Sequence, residues 1–173
     1  DRRDRSLLPS LVESIAESDG QRSLEMLWAL ELSGGLADKT ALALLGHEEQ
    51  FVRLWTVRLL GDRSTVSQAV ARRLVSMAKT EPYAEVRSQL ASSARRLPAA
   101  TCLAIVGSLL VHDEDVSDLH IPLLLWWAIE SQAATNRDEI IRLMADKTLW
   151  DRPLVKTHLL DRLIRRFALA GSR

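Results

Sequence analysis

The sequence predicts an all-α protein built as a serial stack of antiparallel helical hairpins. Leu, Ala and Arg dominate the composition, and all three favour helix. Apolar residues recur at three- and four-residue spacing, and no segment alternates apolar and polar residues long enough to predict a strand. The connections are roughly 2–8 residues long, which is typical of helix–helix links and forces successive helices to lie antiparallel.

Glycine and proline divide the first half of the chain into short helices. The apolar stripes and their stop signals predict these segments: Leu8–Ile15 with Pro9 in the first turn, Ser23–Ser33 ended by Gly34 and Gly35, Thr40–Leu45 ended by Gly46, Glu49–Leu60 ended by Gly61, and Val66–Met77, capped by Ser64 or Thr65 and ended by Glu81 and Pro82.

The second half follows the same pattern around one acidic loop, predicted from Asp113 to Asp118. Its helices are predicted at Val86–Leu97 before Pro98, at Leu103–Leu110, at Ile121–Ser131, from Asn136 with a capping box to Glu139, and from Pro153 with Asp151 as its cap. The segment Ile121–Ser131 is apolar on almost every side, which predicts a helix between other helices.

The helices repeat along the chain. Overlaying Val52-Arg53 on Val86-Arg87 gives an offset of 34 residues, and a further 35 residues reach Ile121-Pro122. The second helix of each hairpin is therefore expected to begin near residues 23, 50, 84 and 120. A solenoid shows such a period because each hairpin buries its apolar face only against its neighbours.

The segments Phe51-Val52-Arg53 and Glu85-Val86-Arg87, each followed by a glycine or proline stop, resemble HEAT repeats. The resemblance covers most of residues 6–146 and implies a right-handed α–α superhelix of four to five antiparallel hairpins, with residues 151–173 as a C-terminal capping helix of the same domain. It also implies that each valine packs inward and that each arginine pairs with an acid of an adjacent repeat, forming a ladder. Pro122 departs from this pattern.

A narrower resemblance is to the helical-repeat segment of large planctomycete-type multidomain proteins. The strings that carry it are Trp28-Ala29-Leu30-Glu31, Val52-Arg53-Leu54-Trp55, Arg58-Leu59-Leu60-Gly61-Asp62, Val86-Arg87-Ser88-Gln89-Leu90-Ala91 and His120-Ile121-Pro122-Leu123-Leu124-Leu125-Trp126-Trp127-Ala128-Ile129-Glu130. In that family a dehydrogenase-like β-propeller precedes the repeats and a haem-binding CxxCH domain follows them. The resemblance implies a bacterial, periplasmic or membrane-associated parent whose redox chemistry lies outside these residues. The charged start without Met is expected of a fragment of such a parent.

Composition excludes several function classes. With 23 basic and 23 acidic residues the formal net charge is zero, which disfavours a nucleic-acid partner that needs a broad basic surface. The single Cys102 excludes disulfide frameworks, cysteine-rich zinc sites and CxxC redox motifs. The longest apolar run, Ile121–Ile129, is shorter than the roughly 20 residues that a membrane-spanning helix needs.

No motif predicts a catalytic, cofactor or metal site. Cys102 and His112 are expected at opposite ends of one helix, too far apart for nucleophile and base. Asp113 and Asp115 have the first spacings of a calcium loop, but the glycine and glutamate that an EF-hand requires are missing. A solvated acidic loop that caps the next helix is the favoured interpretation, with a cation site as its alternative.

Arginine and tryptophan carry the remaining functional signal. Arginine outnumbers lysine 19 to 4, which fits either solvated faces and inter-repeat ion pairs or a phosphate-binding face. Residues 113–139 carry seven acids against one arginine, a net charge of −6, which opposes the second interpretation. Adjacent tryptophans on a helix point about 100° apart, so Trp126 and Trp127 are both buried only if their helix is sandwiched between others.

The predicted function is a non-enzymatic scaffold that binds a protein partner or an adjacent domain of the same polypeptide. Its exposed inner-face candidates are Arg53, Arg87, His120 and Trp126. The alternatives are a nucleic-acid-binding domain, like the DNA glycosylases that use HEAT-like repeats, and an electron-transfer role supplied by a longer parent protein.

Overall fold

The computed structural model describes residues 5–18 and 20–170, the side chain of Ala170 excepted, and every regular element in this part of the chain is helical. The all-α prediction is therefore confirmed. The α-helices are, in chain order, α1 (Leu8–Glu17), α2 (Gly20–Leu32), α3 (Asp38–Leu44), α4 (Gln50–Asp62), α5 (Gln68–Thr80), α6 (Ala84–Ala94), α7 (Ala99–Leu109), α8 (Ile121–Gln132), α9 (Arg137–Met144) and α10 (Leu160–Ala170).

From α2 to α9 the helices pack in two rows, each helix against the next but one, while α1 packs directly on α2. One row runs α2, α4, α6 and α8, and the other runs α3, α5, α7 and α9. The rows touch where α4 meets α3, where α6 meets α5 and α7, and where α8 meets α7 and α9. No substantial packing joins α1 to α10 in the described part of the chain. Each helix is therefore buried mainly by its close neighbours in the sequence.

The hydrophobic core follows the sequence period. Val52, Val86 and Ile121 occupy equivalent places near the starts of α4, α6 and α8, and at most 1 % of each is exposed. The inward packing that the HEAT resemblance implies for the two valines is confirmed. None of the described helices is both long and apolar enough to cross a bilayer.

Two helix caps differ from the sequence prediction. Ser67, rather than Ser64 or Thr65, caps α5, and its hydroxyl oxygen accepts a hydrogen bond from the Val70 N–H at 3.3 Å. Ser64 instead takes a left-handed conformation with φ of 60° inside the preceding turn. The N-cap of α5 therefore lies three residues later than Ser64, the first of the two predicted caps.

The capping box predicted at Asn136 is also wrong. Asn136 is the N-cap residue of α9, but its side chain makes no capping hydrogen bond. The amide nitrogen donates to Gln132 Oε1 at 2.9 Å instead, back toward the end of α8. Its side chain therefore ties the short link to the preceding helix rather than to the following one.

The last helical region begins at Pro153, as predicted, and contains a π-helical turn at Val155–Leu159 before α10. Val155 and Leu159 are buried, and this turn packs against α8. The last helix thus continues the row of α2, α4, α6 and α8.

Candidate interaction surface

Arg53 on α4 is held in a buried cluster of acceptors. Its Nε and Nη2 donate to the two carboxylate oxygens of Glu81 at 3.0 and 2.6 Å. Its Nη1 donates to the carbonyl oxygens of His47 and Glu48 at 2.7 and 2.8 Å. The guanidinium carbon lies 5.5 Å from the centre of the Tyr83 ring. One arginine therefore joins the start of α4 to the loop before α6.

Arg87 on α6 repeats this arrangement 34 residues later. Its Nε and Nη2 donate to Asp115 at 2.7 and 2.5 Å, and its Nη1 donates to the carbonyl oxygens of Glu81 and Pro82 at 2.9 and 2.8 Å. In both clusters the carboxylate is 28 residues after the arginine. We call these two clusters the arginine ladder. The same contacts, one period apart, show that the sequence repeat is also a repeat of structure.

Within the ladder, hydrogen bonds and charge pairing outweigh the effect of burial on the pKa of Arg87. The hydrogen bonds that Arg87 donates to Asp115 raise the pKa of Arg87 against the opposing effect of burial, so the guanidinium stays charged. Glu114 lies 3.4 Å from Arg87 and accepts from His112. The pKa of Glu114 is lowered, first by a hydrogen bond from its own backbone and then by His112 and Arg87.

The prediction that Arg53 and Arg87 are exposed is wrong. Only 9 % of Arg53 and 3 % of Arg87 is accessible to solvent. Side chains on a helix lean toward its N-terminus, so an arginine in the first turn reaches back under the preceding loop. These residues hold neighbouring repeats together and are not available to a partner.

The ladder ends on both sides. His47, 34 residues before Glu81, occupies the equivalent corner: its Nδ1 accepts from the Glu49 N–H at 3.1 Å, as Glu81 accepts from the Tyr83 N–H at 3.3 Å. After Arg87 the equivalent position is Pro122, which lies in the first turn of α8 and cannot donate.

Three carboxylates of the acidic loop bind groups of the chain itself. Residues Asp113–Ser117 form a 3₁₀ turn that places Asp115 on Arg87 and Asp113 on Arg152, 3.2 Å away. Asp118 Oδ1 accepts the N–H groups of His120 and Ile121 at 2.8 Å each and so caps α8. Within the described residues no group of three or more His, Cys, Asp or Glu side chains could hold a metal ion.

His120 and Trp126 occupy different environments. His120 is exposed at the N-terminal end of α8. Trp126 is half-buried against the core, and the guanidinium of Arg162 on α10 lies 5.9 Å from its ring centre. Trp126 therefore links α8 to α10 and is only partly accessible to a partner.

The exposed tryptophan of this pair is Trp127, with 44 % of its surface accessible. It lines a groove of about 390 Å³ between α6 and α8, which we call the α6–α8 groove; its other lining residues are Ala91, Ser92, Arg95, Arg96 and Leu124. Ser92 on α6 and Trp127 on α8 are one repeat apart, as the offset of 35 residues predicts. The tryptophan pair alone does not identify this site in the sequence. The repeat offset does, because it places Ser92 and Trp127 at equivalent positions of neighbouring helices.

One period earlier, the equivalent positions on α4 carry a second aromatic–arginine pair. Trp55 packs edge-on against Trp28 with ring centres 4.9 Å apart, and the exposed Arg58 covers the Trp55 ring at 5.0 Å. Arg58 precedes Ser92 by one 34-residue period. We call the surface formed by Trp55, Arg58 and the α6–α8 groove the tryptophan–arginine face.

Cys102 is the only cysteine, and it is fully buried in α7. Its Sγ lies 3.7 Å from the carbonyl oxygen of Ala128, and burial raises its pKa to about 12. His112 contacts the carbonyl oxygen of Ala78 at 2.9 Å instead of this thiol. The two residues therefore form no nucleophile–base pair.

Cys102 is expected to be inert while the chain is folded, because the thiolate is the reactive form. Ellman's reagent at pH 8 should label it only in denaturant, whereas a thiol introduced on α5 by Arg72→Cys should react at once. Since the folded thiol holds its proton more tightly, this group's contribution to stability is complete below its ordinary pKa of 9.0 and declines as the pH rises above it. Rapid labelling of Cys102 in native buffer would contradict its burial.

Comparison of the chain with protein-family models, with curated proteins and with solved structures finds no match. Its functional interpretation therefore rests on the geometry of its own residues.

Proposed function

We propose that this chain is a non-enzymatic helical-repeat scaffold whose tryptophan–arginine face binds a protein partner or an adjacent domain of the same polypeptide. The observation that carries the proposal is the α6–α8 groove, where Trp127 is exposed beside Arg95. Tryptophan and arginine are the residues that contribute most to binding at protein interfaces. In this groove the indole lies beside the half-buried Leu124 and two arginines, a combination of apolar surface and polar rim that is typical of interaction sites.

The proposed architecture is a HEAT-like, right-handed superhelix of four to five hairpins. Row-wise packing and the repeated arginine ladder support it, because both place each hairpin against the next.

The resemblance to planctomycete-type proteins extends the proposal to the parent chain. In that setting the scaffold would position domains of a redox-associated multidomain protein. The flanking gene sequence tests this: a β-propeller before the repeats and a CxxCH motif after them would support it, and flanks without either would end it.

Site-specific photo-crosslinking tests the scaffold function. A benzophenone side chain is introduced into the full-length natural protein at Trp127, and separately at Arg72, which is exposed on α5 in the other row. The proposal expects one dominant cross-linked protein or domain from position 127 and none from position 72. Purified, that partner should bind the Trp127→Ala variant about tenfold more weakly. Equal yields at the two positions, or equal affinity for the variant, would overturn the proposal.

A further inference from the structure

The charges along the tryptophan–arginine face do not cancel. Arg96 forms an ion pair with Asp62 at 3.2 Å, and its buried Nε has no hydrogen-bond partner among the described residues. Arg95 is exposed and makes no ion pair or side-chain hydrogen bond with the described residues. Among the residues that the structure describes, Arg58 contacts the Trp55 ring and makes no ion pair or side-chain hydrogen bond. The Arg96–Asp62 pair is neutral, so Arg58 and Arg95 leave the face with a net positive charge.

The apolar part of the α6–α8 groove lies beside these cations. Ala91, fully buried, is one of its lining residues, and the half-buried Leu124 and the exposed Trp127 line it from α8. The groove therefore combines apolar surface with the guanidinium groups of the two residues that directly follow α6. A guanidinium binds a carboxylate through two parallel hydrogen bonds, which fixes the orientation of the ligand.

We propose that the α6–α8 groove binds an acidic peptide segment of the partner, in which a carboxylate pairs with Arg95 and a neighbouring bulky apolar side chain packs on Trp127 and Leu124. This inference rests on the proposed scaffold function and names the partner's chemistry. Charge complementarity selects the carboxylate, and the exposed indole selects the apolar neighbour.

The surroundings of the groove favour a peptide over nucleic acid. Glu130, one helical turn after Trp127, is the one charged residue of α8, and it pairs with Arg166 at 3.3 Å. A polyphosphate backbone following α8 would meet no basic residue of that helix. A short segment seated between α6 and α8 would contact Arg95 without following α8 further.

The test measures the affinity of a defined probe for the folded chain. The probe is a fluorescein-labelled peptide with alternating glutamate and phenylalanine, and its matched controls replace every glutamate with glutamine or with lysine. Fluorescence anisotropy is expected to show tighter binding of the glutamate peptide than of either control. Arg95→Ala and Trp127→Ala should each weaken it about tenfold. Arg72→Ala, an arginine exposed on α5, should leave the affinity unchanged.

Reversing the charge at position 95 tests whether the peptide's carboxylates pair with Arg95. Arg95→Glu should abolish binding of the glutamate peptide and raise the affinity for the lysine peptide. Equal binding of glutamate and glutamine peptides, or no effect of Arg95→Ala, would overturn the inference. Tighter binding of a DNA duplex than of the peptide, with steep loss on adding salt, would also overturn it and favour nucleic acid.

The two proposals fail in different ways. Cross-linking at position 127 with no glutamate-peptide binding would leave the scaffold function standing and remove the acidic-peptide inference. Peptide binding without any cross-linked partner in the natural protein would remove the scaffold function.

Discussion

Replacing Arg87 with alanine is expected to lower the free energy of unfolding by about 3–5 kcal/mol. The variant would leave the Asp115 carboxylate, which is 2 % exposed, buried beside no cation. It would also remove the donor from the carbonyl oxygens of Glu81 and Pro82. Removing one partner of a buried pair costs far more than the pair itself contributes. Urea unfolding followed by circular dichroism measures the loss.

Two variants separate this effect from general damage to α6. Arg95→Ala, an exposed arginine at the end of the same helix, should change the unfolding free energy by no more than about 0.5 kcal/mol. The double variant Arg87→Met with Asp115→Leu should be more stable than Arg87→Ala, because it leaves no buried charge. A loss below about 1 kcal/mol for Arg87→Ala, or no recovery in the double variant, would show that the ladder does not hold the repeats together.

Gly61→Ala is expected to destabilise the chain by about 1–3 kcal/mol. Alanine in a helix is normally about 1 kcal/mol better than glycine, so the predicted sign is opposite to the usual one. The reason is the close approach of α4 and α6: a Cβ at position 61 would lie 2.7 Å from Ser93 Cβ and 2.9 Å from Arg96 Nη2. Thermal and urea unfolding measure the change.

Gly46→Ala provides the matched control, because a Cβ there would make only ordinary contacts at 3.4 Å. It should leave stability unchanged within about 0.5 kcal/mol. Adding Ser93→Gly to Gly61→Ala should recover part of the loss, since it removes the clashing Cβ. A stabilising Gly61→Ala would mean that α4 and α6 are farther apart than the described packing.

The repeat could be predicted from the sequence because equivalent residues recur at a nearly constant spacing. Val52-Arg53 and Val86-Arg87 share an offset that the structure reproduces in backbone contacts, carboxylate partners and burial. The acids Glu81 and Asp115, each 28 residues later, were equally visible. The spacing does not predict how deeply a side chain is buried. An arginine at a helix start has the same sequence pattern whether it extends into solvent or folds back under the preceding loop.

The exposure of individual tryptophans was beyond the sequence for the same reason. Trp126 and Trp127 differ by one residue, and which of them is covered depends on where α10 packs. Composition alone predicted α8 as apolar on nearly every side. The packing of α6 and of the last helical region against α8 places Trp126 beside Arg162 and Trp127 in the groove.

The central claim is that the hairpins pack in series, each against the next, without closing into a globule. Small-angle X-ray scattering tests it most directly. A compact chain of 173 residues has a radius of gyration of about 16 Å. Serial packing predicts a clearly larger value and a pair-distance distribution with a long tail. A radius at or below about 16 Å with a symmetric distribution would contradict it.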